Sequence, residues 1–121
     1  MTQKAMTRAG GNQPVVYVVR FWAAADAIDE LMRWLDGGHM AEVASQPGFR
    51  SVKMLDVGEK DAQGWHAFAN LYEVDSRADF EAYQRNAALQ EKFAQQRETF
   101  AARMRFERFS GTVVRQLPSA A

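Results

Sequence analysis

The stretch LMRWLDGGHMAEVASQPGF, residues 31–49, decides the fold because it ends a helical pattern at a Pro-Gly turn. Across residues 23–45 the apolar side chains recur at helical spacing, which predicts an amphipathic helix. Its predicted inner face carries Ile28, Leu31, Met32, Leu35, His39 and Val43. Gly37 and Gly38 interrupt the pattern at about 1 kcal/mol each relative to Ala, and we expect a kink just before His39.

The segments on either side of this helix have the two-residue alternation of strands. Residues 15–22, VVYVVRFW, are apolar on both alternating faces and predict a strand that is buried on two sides. Residues 49–57 predict a second strand, and residues 58–64 predict a hairpin loop. In the third predicted strand, residues 65–74, the side chains of His66, Phe68, Asn70 and Tyr72 share one face and those of Trp65, Ala67, Ala69 and Leu71 share the other.

The last third of the chain predicts a helix and a final strand. Asp75 or Ser76 is a suitable N-cap, and the helix is expected to run to about Met104. Its predicted inner stripe consists of Phe80, Tyr83, Ala87, Phe93, Phe100 and Met104. Residues 105–116 alternate as a strand does. The arginines between Arg97 and Arg115 are interpreted as a solvated helix face that leads into this strand.

The element order β-α-β-β-α-β is that of the ferredoxin-like fold, in the α+β class, with two helices on one face of a four-stranded antiparallel sheet. Two helices cover only one face, yet the first and third strands are apolar on both. A second copy of the chain is therefore expected to cover the other face, as in a dimeric α+β barrel. We expect residues 1–13 to be a disordered leader, residues 14–117 to be the single domain and residues 118–121 to be a loose tail.

Composition excludes several function classes. Fifteen basic and fifteen acidic residues cancel, so no net field attracts nucleic acid or an anionic membrane surface. The absence of Cys removes disulfides, thiolate nucleophiles and sulfur-ligated metals, and it fits a cytoplasmic location. No segment is apolar for long enough to span a membrane. With two distant His residues and no Cys, no metal site is predicted.

His39 is the candidate catalytic residue, because an imidazole on the inner face of the helix could act as a general acid or base. The alternative is a core histidine whose hydrogen bonds are satisfied by a backbone carbonyl or water. A catalytic His39 would be expected to have a second titratable group beside it. The candidates for this second group are Tyr17, Tyr72, Tyr83 and Asp36.

Five further residues are candidates for substrate binding. Trp34 lies about 140° around the helix from His39, so it is expected at an edge or subunit contact, with a pocket wall as the alternative. Arg20 would need a carboxylate or phenolate of a substrate, or an internal partner such as Glu73 or Glu107. His66 and Tyr72 share a polar and aromatic strand face that could line a pocket or a dimer interface. Tyr17, in the first strand, completes the set.

These elements carry a resemblance to a known superfamily. Trp34 and His39 on the first helix, with Pro47-Gly48-Phe49 opening the second strand, resemble the dimeric α+β barrel proteins. Within that superfamily the chain looks most like the DUF4286 family of uncharacterised proteins. The matching positions are Tyr17, Val19, Leu31, Trp34, His39, Val43, Gly48, Phe49, Ser51, residues 68–76, Phe106 and Arg115.

The resemblance implies a homodimer with a pocket between the sheet and the helices, but it selects no chemistry. Relatives in the superfamily include cofactor-independent monooxygenases, isomerases, dehydratases, polyketide cyclases and haem-handling proteins. The first hypothesis is an enzyme without cofactor in which His39 moves a proton on a hydrophobic or aromatic small molecule. The second is a ligand-binding or purely structural dimer without catalysis. Haem ligation through His39 stays open.

Overall fold

A computed structural model describes residues 13–118, so most of the predicted leader and residues 119–121 of the predicted tail lie outside the described part. The strands are β1 (Val15–Ala23), β2 (Phe49–Lys60), β3 (His66–Val74) and β4 (Met104–Thr112). The helices are α1 (Ile28–Trp34), α2 (Met40–Ala44), α3 (Arg77–Arg85) and α4 (Ala87–Arg97). A π-helical turn, Leu35–His39, joins α1 to α2, and 3-10 turns occupy Ala25–Ala27 and Glu98–Phe100.

The four strands form one antiparallel sheet in the order β2-β3-β1-β4, which confirms the predicted ferredoxin-like topology. Strand alternation divides the side chains between two faces. The covered face, against which the helices pack, includes Val15, Tyr17, Val19, Phe21, Phe68, Asn70, Tyr72 and Val74. The open face includes Val16, Val18, Arg20, Trp22, Ala69 and Leu71 from the central strands and Leu55 and Phe109 from the edge strands.

The first predicted helix is interrupted at the expected place. Gly38 has φ 149° and ψ −24°, values that only glycine adopts without strain, and the turn around it is π-helical. The Met40 amide donates to the carbonyl of Leu35, five residues earlier. The predicted kink is therefore confirmed, but it takes the form of a wide turn, which changes the side-chain register after Trp34.

The second predicted helix is also broken. Asn86 leaves the helical region, with ψ 85°, and its side chain accepts a hydrogen bond from the Leu89 amide as the N-cap of α4. The break shifts the register, so Ala87 is exposed and the prediction that it faces inward is wrong. Ser76 is the N-cap of α3, where it accepts from the Asp79 amide. Met104 belongs to β4 and not to the helix.

The Pro-Gly turn positions β2 beside the end of β3. Gly48 has φ +83°, and its carbonyl accepts the Asp75 amide at 2.7 Å. A Cβ atom at Gly48 would lie 2.3 Å from Cγ of Asp79, so only glycine fits. Strand β2 is longer than predicted because it continues to Lys60. Within residues 13–118, no helix combines the length and the apolar character that crossing a bilayer requires.

Candidate functional site

Two adjoining spaces lie between the helices and the covered face of the sheet. The inner cavity, about 50 Å³, is lined mainly by apolar and aromatic side chains, among them Val19, Leu31, Trp34, Leu35, His39, Val43, Asn70, Tyr72, Phe93 and Phe106. The outer groove, about 690 Å³, is lined by residues of α3, α4 and β4, among them Phe80, Gln84, Gln90, Glu91, Ala94 and Ser110. Both spaces are lined by Tyr17, Tyr83, Arg97 and Arg108, which form their common boundary.

His39 lies between two aromatic rings on the wall of the inner cavity. Its imidazole stacks on Trp34 with ring centroids 4.1 Å apart and an angle of 19° between the planes. Phe93 meets the imidazole edge-on, at 4.6 Å and 86°. The prediction that Trp34 points away from His39 is wrong, because the wide turn at Gly38, which the Met40-to-Leu35 hydrogen bond closes over five residues, rotates position 39 back over position 34.

The imidazole of His39 is held neutral. Its pKa is lowered from 6.5 to about 4, chiefly by burial and also by the cationic Arg97 and Lys92, while Glu42 acts in the opposite direction. Glu42 is itself paired with Lys92, at 2.5 Å between Oε2 and Nζ. The Nδ1 atom of His39 is buried and has no hydrogen-bond partner within residues 13–118. No backbone carbonyl of residues 13–118 hydrogen-bonds to this nitrogen, and the alternative of a core histidine that is satisfied by water stays a prediction.

Asn70 is the second polar group on the inner cavity. It is the one polar residue among the fully buried side chains of residues 13–118, at 3% exposure, and it stands opposite Val19 in the centre of the sheet. Its Oδ1 atom has no hydrogen-bond partner in the described part of the chain. The sequence analysis placed Asn70 on this face beside Tyr72 but gave it no role. Its lack of a hydrogen-bond partner depends on which side chains of the core surround it, and the sequence does not show this.

Three of the four predicted titratable partners gather beside this cavity. The ring of Tyr17 lies 5.6 Å from that of Tyr72 and 6.0 Å from that of Tyr83. Burial raises the pKa of Tyr17 and Tyr72, and it raises the pKa of Tyr83 to about 12. All three hydroxyls are therefore protonated at neutral pH and can donate hydrogen bonds. Asp36 is exposed and does not line the cavity.

Arg97 and Arg108 were missed, because the sequence interpretation treated the arginine-rich segment as a solvated face. The two guanidinium groups both lie against the ring of Phe106, with Cζ 4.8 Å and 5.2 Å from its centroid. Arg97 is half-buried, and burial together with the charge of Arg108 lowers the pKa of its guanidinium. The signal was available in the register of β4, since Phe106 and Arg108 fall on the same face as Met104.

Two predicted substrate-binding residues lie away from both spaces. Arg20 is on the open face, where its Nη2 atom lies 3.7 Å from Glu59 and its guanidinium 4.9 Å from the Trp22 ring centroid. The acidic partner of Arg20 is therefore Glu59. The predicted partners were Glu73 and Glu107, so that prediction is wrong. His66 is at the start of β3, beside Ala23, and lines neither the inner cavity nor the outer groove.

The described residues offer little to a metal or a large cofactor. Residues 13–118 contain no cluster of three or more His, Asp or Glu side chains that could hold a metal ion. The inner cavity at His39, at about 50 Å³, has room for one or two water molecules and is far too small for a haem. Any group that reaches His39 in this conformation must therefore be a small substituent.

Comparison with known families and solved structures identifies a matching family and proteins of similar fold. The profile of the family described as Domain of unknown function (DUF4286) matches residues 14–110. A dimeric ferredoxin-like protein from an uncultured marine organism is 17% identical, with TM-score 0.60, over 84% of this chain and 96% of its own. A monooxygenase of Streptomyces coelicolor, in complex with nanaomycin D, is 19% identical, with TM-score 0.54, over 89% and 95%. No functionally curated protein has a sequence that matches this chain.

Proposed function

The chain belongs to the DUF4286 family, and from that premise we propose that it binds a hydrophobic, aromatic small molecule between its sheet and its helices and acts on it through His39. The proposed site comprises His39 as the proton-transfer residue, with Tyr17, Trp34, Asn70 and Tyr72 around the inner cavity. The reaction class is an isomerisation, a cyclisation or an oxidation without cofactor. The monooxygenase of Streptomyces coelicolor, which shares the fold, supports this class of ligand by analogy only.

One observation carries the proposal. Nδ1 of His39 and Oδ1 of Asn70 are both buried without hydrogen-bond partners in residues 13–118, and both residues line the same small cavity. A buried polar atom left unpaired costs about 1–3 kcal/mol, and native cores contain few of them. Two such atoms at one apolar cavity are explained if a ligand substituent provides the missing hydrogen bonds.

The two spaces divide the proposed ligand into a body and a reacting end. The inner cavity is too small for a ring, whereas the outer groove is within the size range of ligand pockets. The ring system therefore occupies the groove, and a hydroxyl or carbonyl substituent reaches the inner cavity. Stacking on Trp34 fixes the plane of the imidazole, so His39 presents a nitrogen lone pair in a defined direction.

The second candidate is a binding protein without catalysis. The low pKa of the His39 imidazole favours this candidate. With a pKa of about 4, the imidazole is neutral but is a weak base at physiological pH. In that case His39 only accepts a hydrogen bond from the ligand. The two candidates share one binding site and differ in whether a proton is transferred.

We also propose that the protein is a homodimer whose two open faces pack together. Residues 13–118 place no helix on this face, and Leu55 and Phe109 are 43% and 61% exposed. Val18 and Leu71, between these two, are half-buried. The marine protein of similar fold is described as dimeric, which supports assembly as a dimer, and the uncovered apolar side chains favour the open face as the contact.

The binding proposal is tested by calorimetric titration with 2-naphthol and with larger hydroxylated aromatics. We expect saturable binding to the wild type, and about three- to tenfold weaker binding to His39→Leu, because one hydrogen bond to the ligand is lost. Met40→Leu is the matched control, since Met40 is the next residue, packs in the core and does not line the cavity. Absence of saturable binding by every compound would overturn the proposal.

Solvent deuterium exchange separates the enzyme from the binding protein. If His39 transfers protons, the wild type in D2O should speed the exchange of the ring hydrogens ortho to the hydroxyl of bound 2-naphthol, measured by NMR. His39→Leu should lose this acceleration and Met40→Leu should keep it. Binding without exchange would favour the second candidate.

A further inference from the structure

Arg97 and Arg108 stand out because their positive charges are uncompensated. Within residues 13–118, neither guanidinium forms an ion pair or a hydrogen bond with a carboxylate. By contrast, five other arginines in this part of the chain are paired with acidic residues: Arg20, Arg50, Arg85, Arg103 and Arg105. Arg33 is exposed, and Arg77 donates to the hydroxyls of Ser110 and Thr112. Arg97 and Arg108 differ from these two because they lack a carboxylate partner and line both the inner cavity and the outer groove.

The unpaired charges are also close together, and Arg97 is partly withdrawn from water, whereas Arg108 is exposed. Both guanidinium groups lie against the ring of Phe106, and the charge of each disfavours the other. Arg97 is half-buried in this position. Two like charges held at one apolar site are unfavourable unless an anion occupies the space between them.

The groups around the two arginines are hydrogen-bond donors. The Tyr17 hydroxyl lies beside Arg108, and Tyr83, which also lines the boundary, keeps its proton at neutral pH. The acidic residue that lines the outer groove, Glu91, is exposed and is not paired with either arginine. Guanidinium forks with phenolic donors match the oxygens of a carboxylate or a phenolate.

We propose that Arg97 and Arg108 form an anion subsite that binds the carboxylate or phenolate oxygen of the aromatic ligand where the outer groove meets the inner cavity. This inference rests on the proposed function and adds the charge of the ligand to it. The aromatic body lies along the groove, and the oxyanion is held by the two guanidinium groups. Another substituent of the same ring system is then directed towards His39.

The test compares two probes that have the same ring system and differ in charge, 2-naphthoate and the neutral 2-naphthamide. Dissociation constants are measured by calorimetry for the wild type, Arg97→Met, Arg108→Met and the double variant. Arg85→Met is the control, because Arg85 is an exposed arginine of α3 that lines neither space. Thermal melting verifies that every variant is folded.

We expect the wild type and Arg85→Met to bind 2-naphthoate at least about tenfold more tightly than 2-naphthamide. The double variant should bind both probes equally, and each single variant should lose part of the preference. Equal affinity of the wild type for both probes would overturn the anion subsite and leave the binding proposal intact. A preference that survives in the double variant would place the anion elsewhere and would also overturn it. Binding of neither probe would overturn this inference, and the titration with 2-naphthol and the larger hydroxylated aromatics would decide the proposed function separately.

Discussion

The two faces of the sheet are built from the same strands, but they differ in whether their arginines have acidic partners. On the open face, Arg20 is paired with Glu59, and Arg105 lies 3.3 Å from Asp61 and 3.9 Å from Glu107. On the covered face, Arg97 and Arg108 have no acidic partner in residues 13–118. Arg20 and Arg105 on the open face are thus paired with carboxylates of the chain, whereas Arg97 and Arg108 beside the covered face are not.

The apolar groups of the two faces show the opposite pattern. The covered face is buried under the helices, with residues such as Phe21 and Tyr72 at 4% and 2% exposure. The open face leaves Phe109 and Leu55 accessible. Uncovered apolar surface with balanced charge suits another copy of the chain, and a small cavity with unpaired polar atoms suits a ligand. In our proposal, assembly therefore belongs to the open face and ligand binding to the covered face.

The largest expected effect concerns assembly through the open face. Leu55→Glu should weaken dimerisation by about 100-fold or more, because it buries a carboxylate without a partner. Phe109→Glu should have a similar effect, but Phe109 also lines the outer groove, so Leu55→Glu is the cleaner test of the open face. Sedimentation equilibrium measures the effect. Ala88→Glu, an exposed position on α4, is the control for the added charge and should leave the dimer intact. A wild-type protein that is monomeric at micromolar concentration would contradict this role of the open face.

The next largest effect is on the free energy of unfolding in acid. His39, on the side of the covered face, should make the protein less stable as the pH falls. The pKa of His39 falls from 6.5 to about 4 on folding, so the unfolded chain binds its proton first as the pH is lowered. Stability should therefore decrease between pH 7 and pH 4, by up to about 3 kcal/mol from this group. Denaturant unfolding at both pH values should show a smaller decrease for His39→Phe. An equal decrease in the variant would mean that His39 is not held neutral.

The π-helical turn that brings His39 over Trp34 is tested at the two glycines. Gly38→Ala should cost about 1–3 kcal/mol, because alanine is strained at φ 149°. Gly37→Ala is the matched control, since Gly38 alone is non-helical in this turn and alanine favours helix at position 37 by up to about 1 kcal/mol. Unfolding free energies decide the comparison. Equal effects of the two substitutions would show that the turn does not depend on Gly38.

The smallest expected effect is on the stability of His39→Leu at pH 7. Leucine removes an unpaired buried nitrogen and keeps an apolar volume, so stability should be unchanged or higher by up to about 1 kcal/mol. The loss of the stack with Trp34 acts in the opposite direction. A decrease above about 2 kcal/mol would mean that His39 belongs to a stabilising network and is not retained for a ligand.

The fold was accessible from the sequence, because strand alternation and helical spacing are local patterns. The order of elements, the Ser76 cap and the kink at Gly38 all follow from such patterns. The site was accessible only in part. Tyr17 and Tyr72 are brought together with His39, but the stack of Trp34 on His39 depends on a π-helical turn, which a fixed helical period does not describe.

The arginines show why the rest could not be predicted. Arg20 and Arg108 both alternate with apolar residues in strands, so sequence alone gives them equal standing as ligand-binding residues. What separates them is which face the helices cover and whether an acidic residue from another element reaches them. Glu59 reaches Arg20 from the far end of β2. Such contacts between distant segments are a property of the tertiary structure and not of the local pattern.

The most direct test is to find which face of the sheet contacts the ligand. Protein with labelled valine and leucine methyl groups is titrated with 2-naphthoate, and intermolecular nuclear Overhauser effects are recorded. With alanine methyl groups labelled as well, we expect contacts at Ala94, which lines the outer groove, and none at Val18 and Leu71 of the open face. Contacts at Val18 and Leu71 without any at Ala94 would contradict the assignment of ligand binding to the covered face.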